Sequence, residues 1–445
     1  MTDTATVKRK ALDAVDRRRD ESVAFLQELV RIPSPEGEGE RIIHHIASKL
    51  RQFDASAVDE FVPDVAALRA HPAFSPVHRE HGSAPAGAAP VVVATFKGAG
   101  NGKSLMFYGH MESATPGWEP ALVERMQYDP FEAKVVGDRL YGRAAYNMKS
   151  GNAAGVMALR AIQDAGLIVN GDVLFNFNSD EDVGSNGALA SVLKGYRADA
   201  GINPEPSSLW ICPATAGPMW FRIEVTGRSA FAGLGGGVSA IDKAIPIYLA
   251  IRDYAEKRKQ NARHPLYTDV PNPVPLSVGF FRAGNWPSNL PQLAVMEGRI
   301  GCLPGEDLDA VKTEFESVVH EAAAADEWLK NFPPTIIWTA RWDPVLTPLE
   351  HPFVQTTIRT YRELLGDEPI VRGKTAGMDM TKIANFGNVP SVNIGPKGGP
   401  FGGQISSPEA LRTEPFDEFV SLDSYHTLTR LFALTILEWC GVAAT

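Results

Sequence analysis

Acidic and imidazole side chains follow short apolar runs at three places in the sequence. They are His110 and Glu112, then Glu181 and Asp182, and finally Glu205 between two prolines. Strands of an α/β sheet that stop at charged residues deliver those residues to one edge of the sheet, where binding sites form. We therefore expect these side chains to meet at a single site whose carboxylate and imidazole groups bind metal or move protons.

The first pair predicts a metal ligand and the residue that orients it. A single histidine after an apolar strand is more often a hydrogen-bonded core residue than a ligand. Glu112 follows His110 by two residues and therefore lies on the same side of an extended segment. A carboxylate that accepts a proton from one ring nitrogen turns the other nitrogen toward a metal. The pair therefore favours His110 as a ligand.

The second pair, Glu181 and Asp182, has two readings. Adjacent acids after a strand occur in solvated loops and at helix N-termini, where the helix dipole favours them. An unligated acid that is partly buried beside a cation instead keeps its pKa near neutrality and serves as a general base. The neighbouring motifs favour the second reading.

Glu205, between two prolines, lies on a rigid turn that fixes its direction.

The composition excludes several function classes. The 445 residues carry a net charge of -10 and are 44% hydrophobic, as in a soluble globular protein. Nucleic acids and anionic membranes select for clustered Lys and Arg, so we expect neither as a partner. No apolar run approaches the roughly 20 residues of a membrane helix. The N-terminal residues lack the apolar core of a secretory signal, which predicts a cytoplasmic location. The three cysteines have no CxxC spacing and are expected to be reduced and buried.

The elements that position these residues alternate between apolar strands and longer helices. Strands are predicted at 91–96, 105–108, 172–178 and 389–394, and helices at 11–31, 39–53, 148–165, 351–365 and 422–439. This alternation is typical of an α/β fold with a mostly parallel sheet and helices on both faces.

A smaller α+β unit interrupts this pattern. The composition changes near Gly217, after which strands are predicted at 220–226, 275–281, 293–300 and 335–340, with helices at 239–259 and 307–325. The predicted organisation is therefore a catalytic domain in two parts, 1–215 and 342–445, separated by a lid and dimerisation domain at 216–341.

Several motifs together resemble the metallohydrolase family of acetylornithine deacetylase, succinyl-diaminopimelate desuccinylase, aminoacylase and carboxypeptidase G. They are Ile32-Pro-Ser34, Asp129-Pro-Phe131, Gly142-Arg143, Met148-Lys149, Glu205-Pro-Ser207, Gly377-Met-Asp379 and Asp417-Glu-Phe-Val420. The resemblance covers nearly the whole chain and implies a catalytic domain split by a lid domain that makes the contact of a homodimer. It is a stronger indication of fold than of activity.

The resemblance also implies roles for individual residues. Glu181 corresponds to the general base and Asp182 to a metal ligand. His110 and Glu205 correspond to the ligands of the first metal, and Glu112 replaces the aspartate that orients the histidine. Asn289 corresponds to the lid residue that relatives direct at the substrate carboxylate.

Two substitutions depart from the family pattern. Asn147 occupies the position of the aspartate that bridges two metal ions, so it offers at most a neutral carbonyl oxygen. Phe231 occupies the position of a lid histidine that stabilises the oxyanion of the tetrahedral intermediate. Phenylalanine donates no hydrogen bond, and losing one such donor costs about two to three orders of magnitude in rate. We expect Phe231 to line the substrate site instead.

The last family ligand, a histidine shortly before an Asp-Glu-x-Val stretch, is also missing. Its position falls on Glu414 when the match at 417–420 is kept contiguous. A loop from 397 precedes it, and an alternative alignment places Ser406 or Glu409 there instead. We favour Glu414, because a carboxylate still ligates metal, although an exposed surface acid is the ordinary state of a glutamate.

These departures change the expected metal content. Without the bridging aspartate, much of what holds two dications about 3.5 Å apart is missing. The expected cofactor is therefore one divalent metal per subunit. The ligand set is rich in carboxylate oxygen and poor in imidazole, which favours Mn²⁺, with Zn²⁺ as the alternative.

Three functional classes remain open. The first is a hydrolase that cleaves a non-peptide C–N bond of a small carboxylate-bearing molecule. One example is the deamination of an amino-aromatic acid such as 5-nitroanthranilate, whose ring itself delocalises the charge created by attack. The second is an ordinary N-acyl amino acid deacylase or peptidase. The third is an inactive relative that binds a ligand, which the retained acids disfavour because buried unpaired acids are costly without a cation.

Overall fold

A computed structural model describes residues 4–35, 37–76, 89–113, 126–399 and 417–443. Its largest sheet has nine strands among these residues. Eight of them follow one another across the sheet in the order β1 (Ala57–Phe61), β2 (Val91–Phe96), β6 (Val173–Asn178), β3 (Leu105–His110), β7 (Ala200–Asn203), β17 (Ser391–Asn393), β8 (Ile211–Thr215) and β15 (Val345–Leu346), and β16 (Val371–Lys374) pairs with β8.

This sheet is mixed, which corrects the prediction of a mostly parallel one. Strands β6, β3, β7 and β17 are mutually parallel and form its middle, and β16 runs parallel to β8. The other four pairings, β1 with β2, β2 with β6, β17 with β8 and β8 with β15, are antiparallel. A continuous apolar run indicates that a strand is buried on both faces but does not give its direction, so the sequence pattern did not distinguish the outer strands.

Helices cover both faces of this sheet, as predicted. Phe107 of β3 belongs to the apolar cluster of one face, whereas its neighbours Met106 and Tyr108 belong to the cluster of the other. The predicted helix 11–31 is in fact two helices that separate at Arg18. In the described ranges, the α-helices outside the inserted unit are Thr4–Arg17, Arg19–Val30, Glu40–Gln52, Val65–Arg69, Ser150–Asp164, Asn186–Leu193, Pro352–Leu365, Met380–Gly387 and Leu422–Cys440.

The inserted unit forms an antiparallel four-stranded sheet with its own apolar core. Phe221 and Phe315 stack in this core, with ring centroids 4.5 Å apart. The strands are, in order, β11 (Leu276–Ala283), β13 (Leu293–Cys302), β9 (Gly217–Thr226) and β14 (Thr335–Arg341), and the helices are Ala240–Asn261, Leu308–Ala324 and Glu327–Asn331. The exact domain boundaries, 215/216 and 341/342, stay a prediction.

Two smaller sheets complete the described chain. A ribbon pairs β10 (Ala230–Phe231) with β12 (Asn289–Leu290). A four-stranded sheet joins β18 (Gly398–Gly399), β19 (Phe419–Ser421), β5 (Arg139–Tyr141) and β4 (Lys134–Val136) in that order. The three cysteines are buried and free, as predicted. None of the helices in the described ranges is both long and apolar enough to cross a lipid bilayer.

Candidate active site

The predicted site residues lie where neighbouring parallel strands end. His110 is the last residue of β3 and is paired with Asn178, the last residue of β6. Glu181 opens a short 3-10 turn three residues after the end of β6, and Glu205 follows the end of β7 by two residues. Because the strands are parallel, their carboxyl ends meet at one edge of the sheet, as the sequence pattern indicated.

His110, Glu181 and Glu205 converge. One ligand atom from each residue lies within 4.8 Å of the other two. The three residues are 1%, 5% and 4% exposed. Among the described residues, neither ring nitrogen of His110 nor Oε1 of Glu205 has a hydrogen-bond partner. Buried polar atoms without partners are costly, and one nitrogen with carboxylate oxygens is a donor set for a divalent metal, so these residues fit a metal ion.

The Glu112 carboxylate contacts both His110, at the end of β3, and the turn that follows β6. Its carboxylate is fully buried, and Oε2 lies 3.4 Å from Nδ1 of His110. The other oxygen, Oε1, accepts a hydrogen bond from the backbone N–H of Asp182 at 3.0 Å. The carbonyl oxygen of His110 accepts a further hydrogen bond, from Asn152 Nδ2 at 2.7 Å. Glu112 therefore lies where an orienting residue for His110 has to be.

Glu205 is held by contacts that leave one of its oxygens without a hydrogen-bond partner within the ranges that the structure describes. Lys374 Nζ donates to Glu205 Oε2 at 3.1 Å and to the carbonyl oxygen of Pro206 at 2.9 Å. Asn393 Nδ2 donates to the backbone carbonyl of Glu205 at 2.8 Å. A Cβ on Gly395 would lie 2.1 Å from that same carbonyl oxygen, so only glycine permits this packing. Sequence reasoning missed Lys374, because no motif marks a lysine at a strand end.

The site carries more buried negative charge than positive charge. Burial raises the pKa of Glu181 well above its ordinary value, and the charges of Glu205 and Asp182 raise it further. Burial alone would lower the pKa of His110, but the adjacent Glu112 carboxylate outweighs it and the net pKa is raised. A cation bound among these groups would offset the excess negative charge that contributes to both shifts.

Two further buried acids lie in this region. Asp379 accepts a hydrogen bond from Asn178 Nδ2 at 2.9 Å, and burial raises its pKa to about 8. Asp180 accepts a hydrogen bond from the backbone N–H of Gly187 at 2.8 Å, and burial and then Glu112 raise its pKa to about 7. Asp379 belongs to a motif recognised in the sequence, which was the signal that could have identified it. Asp180 precedes Glu181 and carried no separate signal.

Asn147 lies in a segment held by Glu418. The backbone N–H groups of Ala144, Tyr146 and Asn147 donate to the Glu418 carboxylate at 2.9, 3.0 and 3.1 Å. The Asn147–Met148 peptide bond is cis. The side-chain oxygen Oδ1 of Asn147 is buried, and no residue in the described part of the chain forms a hydrogen bond with it. Asn147 thus presents a neutral oxygen that a cation would satisfy.

The remaining predicted metal ligands are Asp182 and Glu414. Asp182 is half-buried and adds negative charge near His110 and Glu181, but it is not one of the three converging residues. Glu414 and its alternatives Ser406 and Glu409 lie outside the described residues. Their roles stay predictions.

The two predicted substrate residues lie together. Phe231 of β10 is the direct register partner of Asn289 of β12 in the two-stranded ribbon. Phe231 is 52% exposed, and Asn289 is exposed as well. An apolar ring and an amide are therefore presented side by side, and whether they contact substrate stays a prediction.

The sequence of this chain is similar to those of several known hydrolases. The chain is 22% identical over 459 residues to an N-formyl-4-amino-5-aminomethyl-2-methylpyrimidine deformylase of Halalkalibacterium halodurans, covering 98% of each chain. It is 24% identical over 374 residues to the deformylase of the same name from Bacillus subtilis, covering 79% of this chain and 83% of that one. Carboxypeptidase G2 of a Pseudomonas species is 26% identical over 231 residues, about half of each chain.

Solved structures share the fold. The dipeptidase Dug1p of Saccharomyces cerevisiae superposes with a TM-score of 0.73 at 13% identity, covering 97% of this chain and 98% of that one. Human carnosine dipeptidase 1 superposes with a TM-score of 0.70 at 17% identity, covering 98% and 99%. The family model for peptidase family M20/M25/M40 matches residues 106–438. The chain therefore belongs to this peptidase family and is a metallohydrolase that acts on carbon–nitrogen bonds.

Proposed function

We propose that this protein hydrolyses a non-peptide C–N bond of a small carboxylate-bearing molecule, with Glu181 as the general base. The observation that carries this proposal is the buried convergence of His110, Glu181 and Glu205 within 4.8 Å. Nothing in folding requires this cluster, and unpaired buried acids cost free energy unless a cation accompanies them. The cluster is therefore best explained by chemistry.

We infer that one divalent metal per chain binds at His110 and Glu205. Asn147, Asp182 and Glu414 are the further candidate ligands. Lys374 already satisfies one oxygen of Glu205, and Asn147 is neutral, so the site offers little charge for a second dication. A carboxylate-rich set favours Mn²⁺, with Zn²⁺ as the alternative. The bound metal would supply Lewis-acid activation of the attacking water and of the scissile group.

The side chains of this protein would carry out the proton transfers. The Glu181 carboxylate accepts a proton from the attacking water as the new C–O bond forms. It then returns that proton to the leaving nitrogen as the C–N bond breaks. The raised pKa of Glu181 suits this task, because a base works best when its pKa lies near the operating pH. Glu112 keeps the His110 ring oriented throughout.

The substrate proposal rests on Phe231. Its ring cannot donate a hydrogen bond to a developing oxyanion, so the substrate itself has to spread the charge. An electron-poor aromatic amine such as 5-nitroanthranilate does this, and its carboxylate would suit the amide of Asn289, which faces Phe231 across the ribbon. The activity would then be a hydrolytic deamination that releases ammonia.

A second candidate is the removal of an N-acyl group, as in ordinary family members. It is favoured by the match along 98% of each chain to a deformylase of an N-formyl aminopyrimidine. The pyrimidine in that relative's name is also an aromatic ring. The two candidates therefore share an aromatic substrate and differ in which C–N bond is broken.

A substrate screen separates the candidates. Protein reconstituted with Mn²⁺ or Zn²⁺ is incubated with amino-substituted aromatic acids, N-formyl aminomethyl arenes, N-acyl amino acids and dipeptides, beside a Glu181→Gln control. Ammonia release from an aromatic amine, absent in the control, supports deamination. Release of formate or another acid supports the second candidate. Tight ligand binding without turnover with either metal would identify the third class, an inactive relative.

We also propose that the inserted unit joins two copies of the chain. Ile241, Ile245 and Leu249 of the helix Ala240–Asn261 are 39%, 43% and 48% exposed at spacings of four residues. On the adjacent edge strand, Phe281 contacts Tyr248 at 5.9 Å between ring centroids and is itself exposed. Such an apolar face favours a homodimer. The cytoplasmic location and the absence of nucleic-acid and membrane partners stay predictions.

A further inference from the structure

The turn that carries Glu181 contains a strained backbone position. Gly184 N–H donates to the carbonyl oxygen of Glu181 at 2.9 Å, which closes the turn. Ser185 N–H donates to the carbonyl oxygen of Asp180 at 3.0 Å. Ser185 has a φ of 56°, a left-handed conformation that is unfavourable for a serine. Such a conformation persists only where surrounding contacts enforce it, so the turn depends on what packs against it.

Ser75 contacts the end of this turn from a distant part of the chain. Its backbone N–H donates to Oδ1 of Asn186 at 3.1 Å, and Nδ2 of Asn186 donates to the carbonyl oxygen of Ser75 at 3.0 Å. Asn186 directly follows Ser185, and both Asn186 and Ser75 are fully buried. Two hydrogen bonds in opposite directions therefore hold the residue that follows the turn.

The hydroxyl group of Ser75 binds the strand by which the chain leaves the inserted unit. Its Oγ accepts a hydrogen bond from the N–H of Arg341 at 3.1 Å and donates one to the Arg341 carbonyl oxygen at 3.2 Å. Arg341 is the last residue of β14. The buried Lys382 donates from Nζ to the same carbonyl oxygen at 2.7 Å and to that of Ala73 at 2.6 Å. Ser75 thus joins the Glu181 turn to this strand.

Trp342, the residue after β14, contacts the turn directly. Its indole N–H donates to Ser185 Oγ at 3.0 Å, and the residue is 2% exposed. Its backbone N–H donates to the carbonyl oxygen of Pro218 at 3.0 Å, on the strand β9 by which the chain enters the inserted unit. A Cβ on Gly377 would lie 2.8 Å from the Trp342 ring, so the ring is closely packed on that side. Both connecting strands of the inserted unit are therefore joined to the turn.

We propose that Ser75 and Trp342 are positioning residues that hold the Glu181 turn against the two connecting strands of the inserted unit. A general base has to lie within hydrogen-bond reach of the proton that it accepts, and a displacement of about 1 Å costs up to about 10²-fold in rate. Neither residue has to touch substrate or metal in this role. The inference rests on the proposed function because it takes Glu181 as the base.

Hydrogen exchange tests these contacts without any substrate. Mass spectrometry of the Mn²⁺-reconstituted protein measures the exchange of backbone amides in peptides that cover residues 180–187. The loss of one or two hydrogen bonds predicts about 10-fold faster exchange of these amides in Ser75→Ala and in Trp342→Phe.

Thr347→Val is the matched control. The buried Thr347 hydroxyl also accepts the N–H and binds the carbonyl oxygen of a single residue, Ser391, at 3.0 and 2.7 Å. This variant loses the same kind of hydrogen-bond pair as Ser75→Ala, at a position that does not contact the Glu181 turn. Exchange at residues 180–187 should therefore match the wild type.

Steady-state kinetics with 5-nitroanthranilate and with N-formylbenzylamine give a second readout. We expect kcat to fall about 10- to 100-fold in Ser75→Ala and Trp342→Phe, with KM and metal content within about twofold of the wild type. Thr347→Val should keep the wild-type kcat. A merely structural role of Ser75 and Trp342 would lower the stability of all three variants and leave the kcat of the folded protein unchanged.

The outcomes separate this inference from the proposed function. Unchanged exchange at residues 180–187 in both variants overturns the inference, as does an equal acceleration by Thr347→Val. A wild-type kcat in the folded variants also overturns it, while the proposed function stands. If one variant fails to fold, the other decides. Faster exchange in the variants, in a protein that turns over neither substrate, upholds the contacts that hold the turn and counts against the proposed function.

Discussion

Replacing Glu181 by glutamine distinguishes an acid retained for chemistry from one retained for folding. The side chain is 5% exposed and lies beside the negative charges of Glu205 and Asp182. Glutamine keeps its shape and removes its charge. We therefore expect the Glu181→Gln variant to lose activity while the metal-free protein becomes more stable.

The magnitudes follow from the burial and from the proposed role. Burying a polar group without compensation costs about 1–3 kcal/mol in protein mutational data. Removing the Glu181 charge should therefore raise the free energy of unfolding of the metal-free protein by about that amount at pH 8. A positioned general base contributes about 10²- to 10⁴-fold to rate, so kcat should fall by that factor.

The sign of the pH dependence gives a second check. The pKa of Glu181 in the folded protein lies above the ordinary value of 4.5 that applies to the unfolded chain. Between these two values the folded protein binds more protons, so this residue makes stability fall as pH rises. The stabilisation by Glu181→Gln should thus be absent below pH 4.5 and fully present above the folded-state pKa.

Urea unfolding of chelator-treated protein at pH 4 and pH 8 measures the stability, and initial rates with Mn²⁺ measure the activity. Asp180→Asn is the matched control, because it removes a neighbouring buried charge outside the three converging residues. It should gain stability at pH 8 without abolishing turnover. A Glu181→Gln variant that is less stable at pH 8 and still fully active would refute the reasoning.

Three other predictions concern the metal, the packing and the assembly. Asn147→Asp should raise the metal content from one to two ions per chain by elemental analysis, and two ions in the wild type would contradict the single-metal proposal. Gly395→Ala should cost at least about 1–3 kcal/mol in unfolding free energy and weaken metal binding, because the new Cβ would lie 2.1 Å from the carbonyl of Glu205. Gly399→Ala, whose Cβ would meet atoms no closer than 3.8 Å, is its control. Ile245→Lys should shift a dimer to monomer in analytical ultracentrifugation, and an unchanged sedimentation coefficient would count against the proposed face.

Local patterns predicted most of the elements and missed the long-range arrangement. Apolar runs located the strands at 91–96 and 172–178, and helical spacing located the last helix to within a residue of its observed end at Cys440. The same patterns missed the short strand Ala57–Phe61, because it is only half-buried and carries two acids. They also did not show that this edge of the sheet is antiparallel, since burial constrains which residues are apolar but not which way the chain runs.

The site shows the same division between local and distant information. His110, Glu181 and Glu205 were predictable because each lies at the end of an apolar strand or within three residues of it. Lys374 was not, because it reaches Glu205 across 169 positions of sequence.

The expectation of a single metal gains its physical basis from Lys374 and Glu418 together. Glu418 accepts three backbone N–H groups and so holds the segment of Asn147 through contacts that do not involve its side chain. Asn147, in place of the family's aspartate, therefore removes a negative charge, while the backbone of its segment is still held by Glu418. Lys374 places a positive charge beside the Glu205 carboxylate. The interaction of two unit charges about 4 Å apart is worth about 4 kcal/mol at an effective dielectric constant of 20. Either change alone would therefore considerably weaken the binding of a second dication. Acting together, they support the proposal of one bound metal per chain, with Glu181 unligated as the proposed base.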